Sequence, residues 1–261
     1  MTHSRQEKIE ALGRVIDVLE RLRKDCPWDR EQTNLSLRPN TIEEVYELAD
    51  ALIAEDDANI RKELGDVLLH VLFYAKIGEE KDAFDIVDVC DALNAKLIFR
   101  HPHVFGEVEA NDAETVVQNW EQLKLKEKGG NKTVLAGVPN ALPALVKAFR
   151  IQEKASHVGF DWEKPEQVWE KVKEEIAEFE KEVKNMDADK MEAEMGDAFF
   201  ALVNAARLYG ITPENALERT NRKFTQRFNY IEQKVKESGR NIKDLTLREM
   251  DAIWEEAKKS E

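Results

Sequence analysis

Carboxylates dominate the chemistry open to this chain, and they recur in one pattern. Glu43, Glu44 and Glu47 (EEVYE) are followed by Glu63 and Asp66 (ELGD), and Glu174, Glu175 and Glu178 (EEIAE) by Glu194 and Asp197 (EMGD). The step from 47 to 63 is sixteen residues, and so is the step from 178 to 194. Residues three apart share a helix face, so each EExxE and each ExxD projects a pair of carboxylates from one side. Packing two such helices together brings four or five carboxylates to one place. Like charges at that density repel unless a cation sits among them, which implies a metal site, present twice. The donors are hard oxygens with no His or Cys at ligand spacing, a set that favours Mg²⁺ or Mn²⁺ over zinc or copper. The Glu-x-x-His pairs of di-iron bundles are missing as well. One EExxE alone is an ordinary solvated helix face; duplication with a matched ExxD is what sets this pattern apart.

The repeat extends to cations. Asn94, Lys96 and Arg100 correspond in spacing to Asn221, Lys223 and Arg227, and Trp120 (NWEQLK) corresponds to Trp254 (IWEEAK). Because Mg²⁺ commonly binds through a few carboxylates plus substrate phosphates, the acids suggest a phosphate-bearing ligand. Lys223 and Arg227 can neutralise phosphate oxygens, and Trp254 can stack on a base, though each alone is also an ordinary surface or core residue. The two copies differ: Lys171 precedes Glu174 by three and Lys190 precedes Glu194 by four, where the first copy has Asn40 and Asn59. The second copy is therefore expected to suit a triphosphate better, and the first to bind weakly or serve assembly. His70 lies four residues after Asp66, but Ala201 takes the equivalent place, so His70 reads as structural.

Helices must position these groups. Apolar spacing predicts a helix from Ile9 to about Leu22, ending before a Cys26-Pro27-Trp28-Asp29 loop. Thr41, three residues before Glu44, forms a capping-box pattern that opens a second helix to about Ala54. Further helices are expected from Ala58 to Ile77, from Ala83 to Arg100 where His101-Pro102-His103 stops the chain, and around Ala113 to Lys128. The second copy repeats the order. Helices are expected over Leu142 to Ala155, Glu166 to Lys184, Ala188 to Leu208 and Pro213 to about Glu237, with a loop at Gly159-Phe160-Asp161-Trp162. No segment alternates with period two, so the fold class is all-α, built as tandem helical bundles. The turn-rich stretch 129–140 is expected to link a unit over 1–128 to a unit over 141–261.

Composition limits the remaining choices. A net charge of -14 argues against a surface that tracks polynucleotide phosphates, without excluding a single nucleotide. No apolar run is long enough to span a bilayer, and the polar start lacks the apolar core of a signal peptide, so a cytoplasmic protein is expected. Cys26 and Cys90 read as free thiols. Apolar stripes such as Phe199, Phe200 and Val203 point to a homodimer.

EExxE, then ExxD, then Asn-x-Lys-x-x-x-Arg, flanked by CPWD and RHPHVF in the first copy and VGFDW in the second, resemble the MazG nucleoside triphosphate pyrophosphohydrolases in their tandem form. The likeness covers nearly the whole chain. It implies an all-α, usually dimeric fold related to all-α dUTP pyrophosphatases and phosphoribosyl-ATP pyrophosphatases. It also implies Mg²⁺-dependent cleavage of NTPs and dNTPs to the monophosphate and pyrophosphate, a house-cleaning of the nucleotide pool, with the C-terminal unit active. Carried over, Glu175, Glu178, Glu194 and Asp197 match the family's metal ligands. Lys171, Glu174, Lys190, Lys223, Arg227 and Trp254 match positions that contact nucleotide, and Glu44, Glu47, Glu63 and Asp66 match the ligand motif in the first unit. Glu174 and Glu175 are both candidates to orient or deprotonate the attacking water. Three rival readings stand beside this one: a narrow-specificity relative acting on dUTP or a phosphoribosyl nucleotide, a non-catalytic nucleotide sensor, and a purely structural bundle.

Overall fold

A computed structural model describes residues 2–108, 112, 115–116, 123 and 133–259, and among these there is no strand. The chain divides into two compact units, 1–116 and 117–261. Most of the expected helix around Ala113 to Lys128, with Trp120, and most of the glycine-rich start of the expected linker lie outside the described residues.

In the first unit α1 (Arg5–Asp25) is followed by the short α2 (Pro27–Glu31), α3 (Asn34–Ile53), α4 (Asp57–Glu79), α5 (Ile86–Arg100) and the short α6 (Pro102–Phe105). The CPWD segment is thus helical rather than a loop, because Pro27 stands at a first-turn position, where its missing N–H costs nothing. His101-Pro102-His103 ends α5 and at once opens α6 in the same way. α3 begins seven residues before Thr41. Its cap is Thr33, whose hydroxyl accepts from the Ser36 N–H (3.1 Å) while the Ser36 hydroxyl accepts from the Thr33 N–H (2.8 Å). Pro39 sits inside the helix, and having no N–H it cannot donate to the carbonyl of Leu35, an exposed residue. Thr41 is a mid-helix tie instead of a cap. Its hydroxyl lies 3.0 Å from Leu37 O, 3.0 Å from His70 Nδ1 and 2.6 Å from the Tyr74 hydroxyl, joining α3 to α4. His70 is buried there, as its structural reading requires, and burial pushes its pKa down against the pull of Asp66. The core gathers Leu19, Leu37, Leu72, Phe73 and Ile77. Arg23 reaches over Phe73 (5.3 Å) to pair with Glu80 and accept its place against the carbonyl oxygens of Asp29 and Gln32, to which it donates.

The second unit comprises α7 (Ala144–Ser156), α8 (Val168–Asn185), α9 (Ala188–Leu208), α10 (Pro213–Glu237) and α11 (Leu247–Lys259). α8 and α9 pack along their length as an antiparallel pair, with α7 against α9 and α10. Val168, Val172, Ala201 and Ala205 form the core between α8 and α9; the small alanines let the helices approach. A second cluster of Ile231, Val235 and Leu245 holds α11 on α10, with Trp254 packed on it. Val203 is buried, so the expected uncovered stripe is Phe199, Phe200 and Leu202 instead. Cys26 and Cys90 are free thiols, and no described helix is long and apolar enough to cross a membrane.

Candidate active site

Pairing of α3 with α4, and of α8 with α9, does what the acid spacing demands. In the first unit Glu44, Glu63 and Asp66 each offer an oxygen within 4.8 Å of the others, and in the second Glu175, Glu194 and Asp197 do the same. Each tight group holds three carboxylates from two helices; Glu47 and Glu178 stand beside the groups rather than in them. Burial pushes the Glu44 carboxyl pKa up, and the charges of Asp66, Glu47, Glu63 and Glu43 add to the shift. Glu194 is raised likewise, by desolvation and then by Glu178, Asp197, Glu175 and Glu182. Buried Glu63 Oε2 has no hydrogen-bond partner among the described residues. Carboxylates that resist ionisation together and an orphaned buried oxygen fit a hard divalent cation.

The two groups differ in their resident lysine. Lys62 lies 2.9 Å from Glu63 and 3.9 Å from both Glu47 and Asp66, so the first unit's acids already surround an ammonium. The residue at that place in the second unit is Ala193. There Lys171 approaches from the neighbouring turn of α8, 2.7 Å from Glu175 and 2.9 Å from Glu174, and both carboxylates hold its pKa up. Glu174 is exposed and bonded to Lys171, whereas Glu175 is buried in the acid group.

A cavity of about 660 Å³ opens beside the second unit's acids. Lys171, Glu175 and Asp197 line one part of it; Ile151, Ala155, Val168, Phe200 and Ala201 supply apolar wall. The Gly159-Phe160-Asp161-Trp162 loop brings Phe160 and Trp162 to its lining. Arg207 fastens that loop: its Nη1 donates to Asp161 Oδ2 (2.9 Å), and its Nε and Nη2 donate to Asn204 Oδ1 (3.0 and 2.8 Å). Burial pushes the Asp161 pKa up, but the Arg207 bonds and charge and the Trp162 N–H outweigh it and leave it below the ordinary range.

The structure does not bring every expected contact residue to this cavity. Lys190 pairs with the helix-capping Asp187 (3.1 Å). Lys223 is exposed on α10, and Arg227 lies over the Trp254 ring at 5.3 Å, with Phe224 5.2 Å from the same ring. None of these lines the cavity. In the first unit Asn94 and Lys96 are exposed on α5. Residues missed from the sequence include Glu182, Gln152, Asn204 and Arg207. Glu182, four residues beyond Glu178 where the first unit has Ala51, was readable as an extension of the acid row. The others carried no signal, since an amide gains meaning only from the partner that orients it.

A family model, the MazG nucleotide pyrophosphohydrolase domain, matches this chain twice, over residues 32–105 and 163–231, more than half of its length. Each match contains one of the acid groups. The chain belongs to the MazG family. It is 45% identical over 247 residues to the nucleoside triphosphate pyrophosphohydrolase/pyrophosphatase MazG of Thermotoga maritima, covering 94% of each chain. It is 40% identical over 257 residues to the nucleoside triphosphate pyrophosphohydrolase of Escherichia coli K12, covering 96% of this chain and 98% of that one. The Bacillus subtilis protein YabN is 49% identical over 238 residues, which is 90% of this chain and 49% of that longer protein. The Thermotoga maritima and Escherichia coli proteins match it over nearly their whole lengths.

Proposed function

We propose that this chain hydrolyses nucleoside triphosphates, ribo and deoxy, to the monophosphate and pyrophosphate with Mg²⁺ or Mn²⁺ bound, and that its second unit is the main active site. The observation that carries this reading is the shared wall: Glu175, Asp197 and Lys171 face the same 660 Å³ cavity as the aromatic loop. Triphosphate and nucleoside thus have adjoining places. Glu175, Glu194 and Asp197 would hold the cation, which supplies polarisation of phosphate oxygens and a water acidified near neutral pH. Lys171 supplies positive charge to the phosphate chain from the edge of the acid group, and the apolar wall with Phe160 and Trp162 takes the nucleoside and keeps water from it. Of the two candidates to orient water, Glu175 is the one at the cavity.

Several features favour the second unit over the first. Its acids lack a central lysine, and Glu182 adds negative charge. In the first unit the residue seven after Asp66 is Phe73, packed in the core, where the second has cavity-lining Asn204 seven after Asp197. Exposed Phe199 and Leu202 on α9, with Leu64 and Val71 on α4, support a homodimer in which a second copy covers these faces. Such a copy would also be the means of bringing Lys223, Arg227 and Trp254 toward a bound nucleotide. The charge and the lack of a described membrane-spanning helix suit a cytoplasmic enzyme of the nucleotide pool.

Incubating the full chain with each NTP and dNTP plus Mg²⁺, and separating products by anion exchange beside Glu175→Gln, tests the reading. Monophosphate and pyrophosphate, lost in the variant, are expected. Diphosphate and orthophosphate would overturn it; metal-dependent binding without product would leave the nucleotide sensor.

A further inference from the structure

We propose that Asn204 selects the nucleobase, admitting bases that present a carbonyl at the inserted edge (uracil, thymine, hypoxanthine, guanine) over those that present an amine there (adenine, cytosine). The inference rests on the second unit being the pyrophosphohydrolase site. An asparagine amide ordinarily reads either way, because it can turn and exchange donor for acceptor. Asn204 cannot. Its Oδ1 accepts from Arg207 Nε (3.0 Å) and Nη2 (2.8 Å), and Arg207 is itself pinned by Asp161. Turning the amide would set its NH₂ against two guanidinium N–H groups. Nδ2, which has no partner among the described residues, is therefore left as a fixed donor in a residue that lines the cavity.

A second amide in the same wall is fixed as well. Gln152 is buried and donates through Nε2 to the carbonyl of Phe200 (2.8 Å), one helical turn before Asn204. Its Oε1 is buried without a hydrogen bond among the described residues. The fixed donor of Asn204 matches a base edge that carries C=O, as in uracil, thymine, hypoxanthine and guanine, while Gln152, whose Oε1 solvent does not reach, ties the wall at Phe200 behind it. Adenine and cytosine offer the reverse, an amine next to a bare ring nitrogen, and would set donor against donor at Asn204. Asp161 and Arg207 are positioning residues in this scheme, acting through Asn204. Phe73 in the first unit has nothing to read with.

Two substrate pairs isolate the effect, because ITP differs from ATP, and UTP from CTP, only by a carbonyl and ring N–H in place of the amine and bare ring nitrogen. The full chain with Mg²⁺ should show kcat/KM for pyrophosphate release roughly tenfold or more in favour of ITP over ATP and of UTP over CTP. Asn204→Asp keeps an oxygen for Arg207 and puts a second acceptor where Nδ2 was, so both ratios should fall below one. Arg207→Lys lets the amide turn and should flatten both ratios. Wild-type ratios near one overturn the proposal without recourse to any variant, as do ratios unchanged in an active Asn204→Asp chain. Turnover of all four with no discrimination defeats this inference alone, whereas turnover of none defeats the pyrophosphohydrolase reading beneath it as well.

Discussion

Asp161→Asn removes one charge from a pair that is largely out of water, and its cost can be worked from the structure. The Arg207 side chain is 13% exposed and that of Asp161 27%. Breaking a fully buried ion pair by removing one partner costs about 3–5 kcal/mol. Exposure of Asp161 lets solvent screen part of this, and asparagine keeps an oxygen for the Trp162 N–H and for Arg207, so about 2–3 kcal/mol is the expected loss. For a unit of this size that lowers Tm by roughly 6–12 °C. The sign with pH follows from the depressed Asp161 pKa: the carboxylate's contribution is present above the unfolded-state value and is lost as pH falls through the lower folded-state value. The gap between parent and variant should therefore be full at pH 7 and close as the solution is acidified below about pH 4. Calorimetric scans of the full chain and of Asp161→Asn, from neutral pH downward, measure both quantities. A Tm within a degree or so of the parent at pH 7, or a gap that stays constant into acid, would refute the account of this pair.

Other consequences are open to direct measurement. Glu175→Gln should cost about a hundredfold or more in pyrophosphate release through loss of an anionic ligand, while Glu44→Gln leaves most of it; equal losses would place the chemistry in both units. Lys62→Ala should strengthen Mn²⁺ binding to the first unit several-fold, read by isothermal titration in a Glu194→Gln background, and unchanged affinity would mean that Lys62 does not compete for the acids. Thr41→Val keeps the shape but strips a hydroxyl from His70 and Tyr74, so the first unit should lose about 1–3 kcal/mol with nucleotide turnover retained; turnover lost in parallel would give Thr41 a role beyond packing.

Much of the molecule was legible in its residues. α9 and α10 run from Ala188 to Leu208 and from Pro213 to Glu237, the bounds that the apolar spacing and Pro213 predicted. Acids were legible because a metal site needs charge on one face at helical spacing, and spacing is what a sequence records. Short elements were not. The CPWD helix and the start of α3 depend on which of several polar residues takes the cap, and Thr41, with Glu44 three residues on, reads as the cap until α4 arrives to claim its hydroxyl and Thr33 takes that place. Val203 failed for a similar reason, since which side of α9 is covered depends on where α8 and α7 pack. The cavity was invisible altogether: it is the space left where Ala155, Ala201 and Asn204 stand, and the sequence marks no vacancy.

Phe73 and Asn204 occupy corresponding places in the two units, one filling a core and the other lining a hollow, and this sets how each half of the gene tolerates change. Truncating Phe73 to alanine costs about 3–5 kcal/mol, enough to unfold a marginal unit, so variants there fail as loss of protein. At position 204 no packing of that weight is at stake, and variants survive to act on a different set of nucleotides. A saturation screen scored for abundance would find the first position and pass over the second, and a screen scored for substrate choice would do the reverse.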